Sequence, residues 1–287
     1  LGSRVRLDKV GIFADGVAVK QVGELPFSIL SQLGIRVLTV SNDATCAAVK
    51  ECFEDRRAVL EPAGALAVAG MRAYVEASGA TGETIAAIAC GANVNFDRLG
   101  FIAERAALGE HTEAIFAVKI PEQPGAFRLL CDTLQNRNIT EFNYRMGDPS
   151  VAVVFVGVRT RSSEDSRSIL MDLTAAGYEA VDLSSNELAK THVRHMVGGK
   201  SLCATDERLF HFDFPERPGA LGEFLRHLAG KWNISLFHYR NHGADRGRVL
   251  VGIQVPFETR QAFDTFLLEL GYAYSEETQN PALRLFL

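Results

Sequence analysis

At 287 residues the chain is long enough for two or three domains. It is 47% apolar and 23% charged with a net charge of −5, so no basic field recommends nucleic acid or an anionic membrane surface as a partner. No apolar run approaches the ~20 residues of a membrane span, and the five cysteines form neither a CxxC pair nor a zinc-spaced cluster, which fits free thiols in a reducing compartment.

The chain begins LGSRVRLDK, with Leu in place of Met and no signal-peptide layout, and reads as a fragment or a processed chain. RVLTV (36–40) has the composition of a strand, and SNDATCAAVKECFEDRR (41–57) opens on cap-type residues and runs helical. AGALAVAGMRAYVEAS (63–78) is an alanine-rich helix with Pro62 suited to its start. TIAAIAC (84–90) reads as a buried strand followed at once by GANVNF, an α/β pattern with a loop at the carboxyl end of a strand, where open α/β sheets bind ligands. Taken alone, Gly91 is a turn residue and Cys90 a small buried hydrophobe.

From 114 the pattern changes. AIFAVKIP (114–121) is strand-like, and AFRLLCDTLQNR (126–137) carries Phe127, Leu130, Cys131 and Leu134 on one helical stripe. ITEFNYRM (139–146) alternates, GDPS turns, and VAVVFVGV (151–158) is apolar enough for a central strand. SEDSRSILMDLTAAG (163–177) is a second helix, capped by Ser163 and stopped by Gly177, and YEAVDLS (178–184) is a closing strand. The order β-α-β-β-α-β returns from 209: LFHFDFP, ALGEFLRHLAG, ISLFHYRN, the turn GADRG, RVLVGIQV, ETRQAFDTFLLELG and a short strand near AYSEE. Pro121, Glu122, Pro124, Gly125 and Ala126 match Pro215, Glu216, Pro218, Gly219 and Ala220 at an offset of 94. Asn138, Ile139, Phe142, Tyr144, Arg145 and Gly157 match Asn233, Ile234, Phe237, Tyr239, Arg240 and Gly252 at 95. Such register implies a duplicated split-βαβ, ferredoxin-like unit.

The phrase P-x-x-P-G-A ends a strand, turns the chain at Pro-Gly and leads into a helix whose first N–H groups and positive dipole end suit a small carboxylate. The same phrase also serves as a plain strand-to-helix corner.

Several phrases, in order along the chain, carry a resemblance: ADGVAVK (14–20), FEDRRAVLEPAGALAVAG (53–70), CGANVNF (90–96), TEFNYR (140–145), HVRHMVGG (192–199) and WNISLFHYRNHG (232–243). The chain resembles the biosynthetic threonine deaminases (threonine ammonia-lyases), pyridoxal-phosphate enzymes of isoleucine synthesis. The resemblance implies the C-terminal part of a fold-type II, tryptophan synthase β-like catalytic domain over 1–110, a first ACT-type regulatory module over 111–190, a linker over 191–208 and a second module over 209–287. The fold class is then α/β plus α+β. It further implies L-threonine as substrate, 2-oxobutanoate and ammonia as products, L-isoleucine and L-valine as effectors, a homotetramer, and a cytoplasmic or plastid-stromal setting.

The family's Schiff-base lysine phrase is found at none of the seven lysines, and the only Gly-Gly, 198–199, is not its phosphate-cradling glycine loop, so no catalytic residue is assigned and the chain is expected to be inactive by itself. By resemblance, Cys90 takes the position that faces the cofactor's pyridine nitrogen, usually Ser, with Gly91 beside it. Glu61 falls in the family's E-P-S-G-A phrase, where it either supports the cofactor from behind or is a buried structural carboxylate. Phe127 and Arg137 hold positions tied to feedback, with Leu221 the counterpart of Phe127, but core packing accounts for Phe127 equally and dipole complementation for Arg137. Gly125, Gly219 and Asn143 complete the expected effector set. Tyr144, Tyr239 and His238 sit on the second strands, where core packing is the first reading for both tyrosines. HVRHMVGG is open between a linker and an oligomer contact. The alternative function is a stand-alone amino-acid-binding regulatory protein.

Overall fold

The computed structural model describes residues 3–11, 13–135, 137–215, 219–228, 230–240 and 246–281. The expected Glu216 and Pro218 of the second turn phrase, and residues 241–245 of the second hairpin turn, lie outside the described residues. The chain divides into two compact units, Leu1–Thr112 and Glu113–Leu287. Among the described residues no helix is long and apolar enough to cross a membrane.

The first unit is helical: a short 3-10 turn at Asp15–Val17, then α1 (Glu24–Gln32), α2 (Asn42–Arg56), α3 (Pro62–Ser78) and α4 (Phe96–Gly109). Ser41 caps α2 by accepting from the Ala44 N–H at 3.1 Å, and Pro62 opens α3 where its missing N–H costs nothing. Small side chains let the helices approach: Cys46, Ala48, Val49, Ala65, Ala69, Ile102 and Ala106 form the core. Arg105, over the Phe101 ring, pairs with Asp43 at 2.8 Å.

The expected strands at 36–40 and 84–90 do not form; neither segment takes a strand partner among the described residues. A run of β-branched residues becomes a strand only when a neighbour takes its N–H and C=O groups. Here the apolar side chains stand in solvent, Val37 at 82% and Ile88 at 81% exposure, so 84–90 is not buried either. Helix α4, not expected from the sequence, completes the packing instead.

The second unit holds both repeats. Strand β1 (Glu113–Pro121) leads through helix α5 (Ala126–Thr133) to β2 (Ile139–Arg145) and β3 (Val151–Arg159); α6 (Ser163–Ala175) and β4 (Glu179–Asp182) close the first repeat. A connector carries a π-helical turn at Ala189–Val193 and α7 (Arg194–Met196), around the start of the expected linker, 191–208. The second repeat is β5 (Glu207–Pro215), α8 (Ala220–Leu228), β6 (Asn233–Arg240), β7 (Arg246–Gln254), α9 (Arg260–Leu270) and β8 (Ala273–Glu276).

All eight strands form one sheet in the order β4-β1-β3-β2-β6-β7-β5-β8, a palindrome of equivalent strands about the β2–β6 pair. That pair is antiparallel with Asn143 opposite its own repeat-mate His238, which puts a pseudo-twofold axis between them. Each repeat has a bulge at the same place, Ile139/Glu141 and Ile234/Leu236. Opposite each bulge is a glycine, Gly157 or Gly252, whose missing Cβ leaves room for the hydroxyl of Thr140 or Ser235. Those hydroxyls in turn donate to Glu113 and Glu207, the first residue of β1 and of β5.

One core runs through both repeats and includes Phe116, Phe127, Leu130, Phe142, Phe212, Phe224, Phe237 and Phe263. Phe142 and Phe237 meet edge-on across the seam at 5.2 Å.

Burial pushes the Cys131 thiol up from 9.0 to about 12. Burial, aided by the Asp43 carboxylate, does the same to Cys46, while Cys90 is exposed. In the folded chain at pH 8 an aromatic disulfide reagent should therefore label Cys90 and leave Cys46 and Cys131 unreacted until denaturant is added. Because both pKa values are raised on folding, the stability these thiols contribute is complete below about pH 9 and is lost as pH rises from 9 towards 12. Denaturant midpoints measured at pH 8 and pH 10.5 should fall accordingly.

Candidate functional site

In the first unit the phrases around Glu61 and Cys90 are brought together. The Glu61 N–H donates to the Gly91 carbonyl at 3.1 Å, and Asn93 N–H donates to the Glu61 carboxylate at 3.2 Å. Gly91 has φ +78°, and a Cβ there would run into the Glu61 carboxylate. Gly64, one turn into α3, lies against the Cys90 backbone. Glu61 thus pins the 90–93 loop, and the Cys90 thiol is presented to solvent rather than packed as a small hydrophobe.

In the second unit the first repeat's turn meets the second repeat's helix. A cleft with a cavity of about 20 Å³ is lined by Glu122, Gly125 and Phe127 from one side and by Leu225, Gly230 and Asn233 from the other. Gly125 takes φ +87° to enter α5, and Gly230, at φ +71°, faces it closely enough that a Cβ on Gly125 would sit 3.8 Å from the Gly230 Cα. Glu122 is the acidic group of the cleft, whose lining also includes Arg128. One of its oxygens accepts from Asn233 Nδ2 at 2.9 Å, and the other accepts from the Tyr144 hydroxyl. Burial and the adjacent carboxylate push the Tyr144 phenol well above its ordinary range, so it stays a donor. A volume of about 20 Å³ holds roughly one water, so an amino acid enters only if the turn and α8 move apart.

Of the expected effector residues, Gly125 and Phe127 line this cleft. Phe127 is also a core residue, edge-on to Tyr144 at 4.9 Å and to Phe142 at 5.4 Å. Gly219 (φ +81°) and the buried Leu221 hold the equivalent places in the second repeat. Arg137 sits elsewhere, gripping Asp165 at 2.8 Å through two nitrogens. That guanidinium holds the Asp165 carboxyl below its usual range. Asn143 also lies away from the cleft: its amide donates to Glu141 Oε1 at 2.7 Å and to the Arg194 carbonyl at 3.2 Å. Glu122, Asn233 and Gly230 are cleft residues that the sequence does not single out as site residues. Glu122 and Asn233 do carry a signal there, since both recur in the repeat register, Glu122 with Glu216 and Asn233 with Asn138.

Residues 104–193 and 198–287 each match the family model described as the C-terminal regulatory domain of threonine dehydratase. Residues 1–91 match that of the pyridoxal-phosphate dependent enzymes. The biosynthetic L-threonine dehydratase of Burkholderia multivorans is 54% identical over 286 residues, covering 100% of this chain and 56% of that protein. That of Escherichia coli is 50% identical over 287 residues with the same coverage, and the chloroplastic threonine dehydratase 1 of Solanum lycopersicum is 44% identical, covering 100% of this chain and 47% of its own length. The chain therefore spans about half the length of the curated relatives it matches. Among solved structures, the processed form of threonine deaminase isoform 2 from Solanum lycopersicum aligns with a TM-score of 0.36 at 44% identity, over 37% of this chain and 31% of that one.

Proposed function

Because the chain belongs to the family of the C-terminal regulatory domain of threonine dehydratase, we propose that its two repeats form an amino-acid sensor attached to a threonine ammonia-lyase. On this reading residues 1–110 are the C-terminal part of the catalytic domain, 111–190 and 209–287 the two sensing modules, and 191–208 their linker. The whole enzyme would convert L-threonine to 2-oxobutanoate and ammonia, as a homotetramer in the cytoplasm or plastid stroma. The family's cofactor, pyridoxal 5′-phosphate, supplies an electron sink when bound.

The first unit fits one edge of that cofactor. The exposed Cys90 thiol, on a loop pinned by Glu61 and Gly91, can offer a weak S–H donor to a ring nitrogen. None of the seven lysines stands in the family's lysine phrase, so on this reading the residues in hand would hold the cofactor's edge and would not carry the covalent step.

The observation that carries the sensor reading is the cleft in which the first repeat's Gly125 turn faces Leu225 and Asn233 of the second, with the Glu122 carboxylate between them. The start of α5 suits a ligand carboxylate, Glu122 suits its ammonium, and Phe127 and Leu225 suit a branched apolar side chain. Since binding must widen the cleft, the ligand favours an opened arrangement by its differential affinity. Isoleucine would do this and valine would oppose it.

Titration calorimetry of the 287-residue chain should show saturable heat with L-isoleucine and none with L-threonine. Glu122→Gln, which keeps the shape and removes the charge, should weaken isoleucine binding about tenfold, the order expected for one charge-assisted hydrogen bond of ~1.5 kcal/mol. A folded chain that gives no isoleucine heat at two temperatures would rule out the sensor in this form.

A further inference from the structure

We propose that the connector between the repeats, residues 186–199, is a releasable strap, clamped across the open face of the sheet by buried polar contacts that fix how the two repeats sit against each other. On β2, Phe142 and Tyr144 point into the helix-covered core, so Glu141, Asn143 and Arg145 share the opposite face. All three hold the connector. Arg194 reaches Glu141 Oε2 through Nη2 at 2.5 Å and Nε at 3.2 Å, with both side chains at most 3% exposed. Asn143 donates to the Arg194 carbonyl at 3.2 Å. Arg145 donates from Nε to the Gly199 carbonyl at 2.7 Å, where Gly199 has φ +90°, and grips Glu207 at the start of the second repeat. One strand of the first repeat is thereby tied to the connector and, through it, to the second.

The repeat shows what these polar residues are for. In register, Glu141 and Asn143 correspond to Leu236 and His238 on β6. The same backbone position in the second repeat takes a buried leucine, so the fold itself does not require a carboxylate there. A buried ion pair is weak evidence of stabilisation, because apolar side chains of similar size do as well. What it confers is a definite register and a contact that fails when either partner is lost.

Apolar burial adds little to the connector's hold, and its other buried charged side chain, Lys190, pairs with Glu187 of the connector at 3.4 Å. Ala189 is its one buried apolar side chain among the described residues, while Leu188 and Val193 are exposed. Among the described residues the Oδ1 of Asn143, 1% exposed, has no hydrogen-bond partner, a burden that water relieves once the strap lifts. A segment with few apolar contacts and many polar ones opens at a lower free energy than the sheet beneath it.

The test is limited trypsinolysis of the full 287-residue chain with cleavage sites read by mass spectrometry. In the unaltered chain Arg194 should be protected. Glu141→Gln, which strands the Arg194 charge, should speed cleavage after Arg194 at least tenfold and leave cleavage after Arg167, on the exposed face of α6, unchanged. A rate within twofold of the unaltered chain, or a rise spread evenly over residues 113–287, would overturn the strap. If the variant does not fold, native-state hydrogen exchange on the unaltered chain decides: the amides of 189–196 should exchange at least tenfold faster than those of β2 and β6, and equal rates would overturn it.

Discussion

Phe127→Ala should lower the stability of the Glu113–Leu287 unit by about 3–5 kcal/mol, the range for deleting a buried aromatic ring, and should do so in both repeats at once. Phe127 is the ring on which the two halves converge. It stands edge-on to Phe142 and Tyr144 in its own repeat and to Phe237 in the other at 6.4 Å. Phe237 in turn meets Phe224, also at 6.4 Å. The chain's single tryptophan, Trp232, reports from the far side of this core, packed on Phe263 at 4.9 Å and Phe266 at 5.2 Å. Urea unfolding followed by Trp232 fluorescence and by far-UV circular dichroism should shift together in the variant. If the fluorescence midpoint stays put while the dichroism midpoint falls, the repeats unfold separately and the shared core is wrong. Phe127→Leu, which copies Leu221 of the second repeat, should recover part of the loss.

The same residue shows how far a sequence can be read. The stripe Phe127, Leu130, Cys131, Leu134 announces a helix with one buried face, and the structure buries all four. The β-α-β-β-α-β order is legible because alternation and helical spacing are local signals, repeated twice in register. What lies at the seam is not. That β2 pairs with β6, rather than standing at an edge, depends on pairing between residues 91 to 99 apart, and no local period encodes it. Glu141 therefore reads only as one residue of an alternating strand and Asn143 as an effector contact, whereas both hold the connector. Arg137 reads as a charge at a helix end, and only the fold shows that Asp165 of α6 takes it. In the first unit the failure runs the other way. RVLTV and TIAAIAC have strand composition, yet composition supplies no neighbour for their backbones, and they stay single. HVRHMVGG, open between linker and oligomer contact in sequence, has its Arg194 and Gly199 bound to β2 of the same chain.

Gly64→Ala sets two effects of opposite sign against each other. Helix propensity alone favours alanine over glycine inside α3 by about 1 kcal/mol. At Gly64, however, a Cβ would collide with the carbonyl oxygen of Cys90 and lie 2.7 Å from its carbonyl carbon and 2.9 Å from its nitrogen. All three obstacles are backbone, so no side chain can swing away, and the start of α3 must lift off the loop that carries Cys90. That would break the bonds from Glu61 N–H to Gly91 and from Asn93 N–H to Glu61. Overpacking of this kind costs about 1–3 kcal/mol and at times more, so the net effect is destabilising. Gly70 lies on the same helix with nothing among the described residues within 4 Å of where an added methyl would stand, and Gly70→Ala should stabilise by up to about 1 kcal/mol. Cys46, fully buried among the packed helices of this unit, provides the readout: its labelling rate by a thiol reagent in moderate urea should rise in Gly64→Ala and fall in Gly70→Ala. If both variants slow the labelling, propensity decides at both sites, and the Glu61 and Cys90 phrases are not in contact as described. If only Gly64→Ala speeds it, the glycine is there to let helix and loop touch.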